Sequence, residues 1–67
     1  MTDPLAQLRV ASKALERADA RRAQRIAERD ALIVAALDDR ATWAQVQDAT
    51  GLSPRGVQLA VKRARRQ

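Results

Sequence analysis

Apolar residues follow two rhythms along this chain. Leu5, Leu8, Leu15, Ile26 and Ile33 fall in one seven-residue register, with Leu5, Ile26 and Ile33 in one core position and Leu8 and Leu15 in the other. Ser12, Asp19, Arg22 and Arg29 take other places in that register, so the seam is weak and polar in its middle. Further on, Val57, Ala60, Val61 and Ala64 stand at i, i+3, i+4 and i+7, which is one face of an ordinary helix. Both are helical periods, and nothing alternates in the manner of a strand.

Helix start signals occur three times. Asp3-Pro4 supplies an N-cap and a first-turn Pro, and no Gly or Pro interrupts the chain from Leu5 to Leu37. One continuous helix over that stretch is about 50 Å long. Thr42 opens a second helix, with Gln45 completing the capping box Thr-x-x-Gln; it runs from Trp43 to about Thr50 and stops at Gly51. Ser53-Pro54 opens the third, which runs to about Arg65 with a frayed end at Arg65-Arg66-Gln67, and Leu52 can staple to Val57. The link Gly51-Leu52-Ser53 is a tight Gly-containing turn between two short helices, the layout of a helix-turn-helix.

Two short helices cannot close a core alone. The expected core joins Trp43, Val46 and the Val57/Ala60/Val61/Ala64 face to Leu52 in the turn. The end of the first helix is its lid, through Ile26, Leu32, Ile33, Val34 and Leu37. The predicted fold is all-α, a long N-terminal helix followed by a helix-turn-helix pair in a tri-helical unit. Residues 25–67 form that unit, and residues 1–24 are an extension that dimerises.

Composition sharpens this picture. The chain has 67 residues, no Cys and no His, and Trp43 is its only aromatic residue. Disulfides, Cys/His metal sites, Cys nucleophiles and His acid/base chemistry are excluded. No Gly-rich phosphate loop or pocket of paired carboxylates is present, and Asp38-Asp39 reads as a helix end. The expectation is therefore a non-enzyme with no cofactor, no metal and no small-molecule substrate. So small a chain is marginally stable alone, which favours a second copy as the missing support. The longest apolar run, Ala31–Leu37, is too short to cross a membrane, and the first residues lack the pattern of a signal peptide, so a cytoplasmic protein without a membrane partner is expected.

Charge is unevenly placed. Residues 1–40 carry 8 basic and 7 acidic side chains, whereas residues 41–67 carry 5 and 1. Most of the net charge of +5 thus rides on the last part of the chain, which suits an anionic partner. Arg9, Lys13, Arg17, Arg21, Arg25 and Arg29 recur every fourth residue in the first helix, and Glu16, Asp19 and Glu28 can offset them through pairs with Lys13, Arg22 and Arg25. That row spirals round the helix and reads as a solvated surface more than as a binding strip.

Residues 42–63 resemble the helix-turn-helix of small bacterial and phage DNA-binding regulators. Gly51, Leu52 and Ser53 match that family's turn Gly, following apolar residue and cap; Val46 and Val57 match its apolar positions, and Trp43 its buried place near the start of the first helix of the motif. One departure is Gln47, where the family has a small residue at the helix crossing; a shifted crossing, or a close approach through Ala44 or Gly56, would accommodate it. The resemblance implies double-stranded DNA as partner, with the last helix in the major groove. It implies base contacts from Arg55 and Gln58, and phosphate contacts from Lys62, Arg63, Arg65 and Arg66 and from the capping positions Thr42, Gln45 and Ser53. A homodimeric transcriptional regulator follows, dimerised through Leu5, Leu8, Leu15 and Ile26. The alternative is a helical protein–protein adaptor, an RNA-polymerase-associated or phage packaging component, that binds its protein partner through the N-terminal helix.

Overall fold

The computed structural model describes residues 3–66. Expectations that touch Met1, Thr2 and Gln67, on the leader and on the frayed end, lie outside them. Three helices follow one another, α1 (Pro4–Asp38), α2 (Trp43–Thr50) and α3 (Pro54–Arg65). The all-α architecture, a long helix followed by two short ones, is the predicted one.

The helix ends follow from local hydrogen bonding. Asp3 accepts the Leu5 N–H at 3.2 Å and Pro4 occupies the first turn of α1. At α2 the Thr42 hydroxyl accepts the Gln45 N–H at 3.0 Å, and the Gln45 side chain accepts the Thr42 N–H at 2.9 Å, which closes the capping box. Ser53 caps α3 by accepting the Gly56 N–H at 3.1 Å. Gly51 ends α2 with φ at 72°, the left-handed conformation that a side chain resists.

The end of α1 is formed without glycine. Arg40 takes φ of 73°; its N–H donates to the Leu37 carbonyl and the Ala41 N–H donates to the Ala36 carbonyl, at 3.1 and 2.9 Å. Those two bonds make a Schellman ending with Arg in the place usually held by Gly. Half-buried Ala41 and Ala36 both pack on the core there, which holds the strained residue in place.

The core is small: Ile33 from α1, Val46 from α2, and Val57 and Ala60 from α3, with Ala36, Leu37, Ala41, Leu52 and Val61 packed around it. Five members of the expected core lie outside it: Ile26, Val34 and Ala64 are half-buried, and Trp43 and Leu32 are exposed. Trp43 is 45% exposed and Leu32 is 70% exposed. Val46 alone projects from α2 into the centre, so the first-turn Trp43 is carried to the side of α3. Leu32 lies beside the buried row of α1 and lines a shallow hollow with Val46, Ala49 and Thr50.

Thr50 shapes the turn: its hydroxyl donates to the Val46 carbonyl at 2.7 Å and accepts the Leu52 N–H at 3.2 Å. This bond helps to direct Leu52 onto the core. A Cβ built at Gly56 would stand 3.3 Å from that of Leu52, so the close approach in the turn is at Gly56, whereas Ala44 is exposed. From Leu5 to Arg25 only Ala6 is partly covered, and the N-terminal half of α1 projects from the unit to give a molecule of 59 × 23 × 16 Å.

Candidate nucleic-acid interface

The candidate interface is built on α3. Val57 and Ala60 are fully buried, and Val61 and Ala64 are half-buried, so the stripe predicted from the sequence is the face that docks α3. At about 100° per residue the opposite face carries Arg55, Gln58, Leu59, Lys62 and Arg66, and Arg65 lies on its flank; all six are exposed. Arg55 and Gln58 lie in the first half of α3, which the Gly51–Ser53 turn leaves uncovered. Arg65 stands 3.9 Å from Asp38 in a solvated pair, too weak to withdraw it from the surface.

Arg63, expected as a phosphate contact, is also engaged within the chain. Its guanidinium turns toward α1, where Nε donates to Asp30 at 2.9 Å and a terminal nitrogen donates to the other carboxylate oxygen at 3.4 Å. Asp30 is 2% exposed, and Arg29 also reaches it at 3.3 Å. Burial pushes the Asp30 carboxyl upward, but hydrogen bonds and charge from Arg63 and Arg29 outweigh it and hold the group below the usual carboxylate value. The hydrogen bond to Asp30 conversely raises Arg63 above its ordinary value. Arg63 therefore ties the C-terminal half of α3 to α1, and the outward charge comes from Arg55, Lys62, Arg65 and Arg66.

Asp30 went unnoticed in the sequence, although a signal was available. It shares one helical stripe with Ile26, Ile33 and Leu37, and an acid inside an apolar stripe calls for a buried cation. Trp43 is the second omission. It joins Gln58, Val61, Lys62, Arg65 and Arg66 around an open groove of about 590 Å³ on the edge of the basic face. An indole beside these cations gives the face an aromatic surface that the sequence pattern had assigned to the core.

The capping positions Thr42, Gln45 and Ser53 are exposed and are all engaged in holding helix ends. Each keeps unused donors, the hydroxyl protons of Thr42 and Ser53 and the amide protons of Gln45. Of the residues expected to dimerise, Leu5, Leu8 and Leu15 are 59%, 59% and 62% exposed, while Ile26 is half-buried against the unit. Among the described residues Arg25 and Glu28 pair at 3.3 Å, but the expected Lys13–Glu16 and Asp19–Arg22 pairs do not form. No helix is long and apolar enough to cross a membrane. Comparison of the chain with family models, with curated proteins and with solved structures gave no match.

Proposed function

We propose that this chain binds double-stranded DNA sequence-specifically, with α3 in the major groove, as a homodimeric transcriptional regulator. The observation that carries the reading is the two-sidedness of α3: Val57 and Ala60 dock it, and Arg55, Gln58, Lys62 and Arg66 stand together on the free side. An Arg can read guanine and a Gln can read adenine through paired hydrogen bonds, while the cations beyond them suit phosphates. Leu59, 42% exposed among these polar groups, suits contact with a thymine methyl. Trp43 and the α2 cap flank the face where a backbone would pass.

The test is selection from random duplex DNA at near-physiological salt, repeated with Arg55→Ala and Gln58→Ala. An enriched palindrome whose discrimination falls in both variants supports the proposal. Full discrimination in both variants refutes the assignment of α3. The exposed Leu5, Leu8 and Leu15 favour a second reading, an adaptor that grips another protein through α1. That reading requires protein capture lost on Leu8→Asp and Leu15→Asp, with no DNA binding at any salt concentration.

A further inference from the structure

We propose that the free half of α1 pairs with a second copy of this chain in antiparallel orientation, with Arg9 opposite Glu16 of the partner subunit. The inference rests on the homodimer part of the proposed function and is independent of its DNA contacts. Its starting point is the continuity of one row of side chains. Leu5, Ser12, Asp19, Ile26 and Ile33 are seven apart; Ile33 is buried by α2 and α3, Ile26 is half-buried, and Leu5 is exposed. The apolar edge that needs a partner and the edge that carries the tri-helical unit are thus the same edge of one helix.

A parallel dimer along this edge would bring the two tri-helical units side by side. Paired helices lie about 8–10 Å apart, and α3 already fills that layer over the C-terminal half of α1. In register, a parallel pair would also set Asp19 against the partner's Asp19 and Arg22 against the partner's Arg22. Reversing one helix removes both obstacles. The two tri-helical units move to opposite ends, and residues 5–22 of each copy overlap over about 26 Å.

One antiparallel register fits the charges. With Leu5 facing Arg22 of the partner subunit, Leu8 faces the partner's Asp19 and Ser12 faces the partner's Leu15. On one flank Arg9 then meets the partner's Glu16, and symmetry repeats the pair. Glu16 has no ion-pair partner within its own chain among the described residues, so it is free for this contact. On the other flank Ala11 meets the partner's Ala18, again twice, and these small side chains let the helices approach. The Arg22 stem can lie along the partner's Leu5 with its charge in water. The partner helix would begin beside an open hollow of about 240 Å³ walled by Ala23, Ile26, Ala27, Asp30, Arg63 and Ala64, where Ile26 is left incompletely covered.

The chain has no Cys, so spin labels can be placed by Ala14→Cys and Gln24→Cys, both at exposed sites. Sedimentation equilibrium first establishes the dimer. Antiparallel pairing then places the Gln24 labels roughly 20 Å further apart than the Ala14 labels, because residue 14 lies at the symmetry axis and residue 24 far from it. Equal separations overturn the orientation while leaving the homodimer in place. A monomer at every concentration overturns both, and leaves the role of α3 to be judged by DNA selection alone. Arg9→Glu should weaken dimerisation about tenfold, and Arg9→Glu combined with Glu16→Arg should restore it to within about threefold. Dimerisation unchanged by Arg9→Glu, or not restored by the exchange, overturns the register.

Discussion

Among the described residues the Asp30–Arg63 pair is the only charged link from the body of α1 to α3 that has a buried member, and its removal tests how α3 is held. In Asp30→Asn the side-chain volume stays, while the charge and one acceptor oxygen are lost. Arg63 Nε at 2.9 Å, with weaker contacts at 3.3 and 3.4 Å, sets the magnitude. A hydrogen bond to a charged group is worth about 1.5–3 kcal/mol. The Arg63 and Arg29 side chains are 48% and 39% exposed and can rehydrate in the variant, which discounts the loss. The expected destabilisation is then about 2 kcal/mol, toward the lower end of that range. In a chain of this size it corresponds to a fall in Tm of about 8–16 °C.

Thermal melting followed by far-ultraviolet circular dichroism, at fixed protein concentration, measures the effect. The pH dependence gives a second readout. The folded state holds the Asp30 carboxyl below its unfolded value, so the stabilisation is complete above the unfolded pKa of about 4 and is lost as pH falls through the lower folded pKa. The wild-type chain should lose this stability in acid, and Asp30→Asn should lack that component. Asp38→Asn, which removes only the solvated 3.9 Å pair with Arg65, serves as the control and should melt with the wild type. If Asp30→Asn at neutral pH melts within about 2 °C of the wild type, the pair does not hold α3 and the reasoning fails.

Other expectations concern the turns and the basic face. Gly51→Ala forces a side chain into φ of 72° with no neighbour within 4 Å, so its cost is conformational, about 1 kcal/mol by denaturant titration. Arg40→Gly relieves the corresponding strain at the end of α1 and should raise stability by about 0.5–1 kcal/mol; a loss would contradict the Schellman ending. Lys62→Ala should weaken duplex binding similarly for all sequences and flatten the log K against log salt plot by about 0.9, whereas Arg55→Ala should also change sequence preference. Trp43 is the sole fluorophore and lines the groove beside Lys62 and Arg66, so its emission should change on addition of duplex DNA; unchanged emission at saturation would place the duplex away from that groove.

Much of the fold was legible in the residues because the devices that bound its helices are local. A hydroxyl and an N–H three residues apart, a Pro in a first turn, and a Gly at positive φ act within one turn of chain. The buried face of α3 was legible too, since Val57, Ala60, Val61 and Ala64 can share only one side of a helix. The end of α1 was less visible, because Arg40 fills a position that Gly usually announces.

The assignment of bulky and charged side chains to core or surface was settled by tertiary packing. Trp43 had the composition of a core residue, yet the way α2 crosses α1 and α3 points Val46 inward and carries Trp43 to the groove. Arg63 had the sequence context of a phosphate contact, but its partner is 33 residues away on another helix. Leu32 and Ile33 are adjacent in sequence and differ in fate, one 70% exposed and one 3%, because α2 and α3 cover only one side of α1. Where the helices begin, where α2 ends and which face of α3 is apolar are written in the residues themselves, since these depend on contacts within a turn or two. The packing of the helices set which of those faces meet, and so which cations are tied to the buried Asp30 and which remain free on α3.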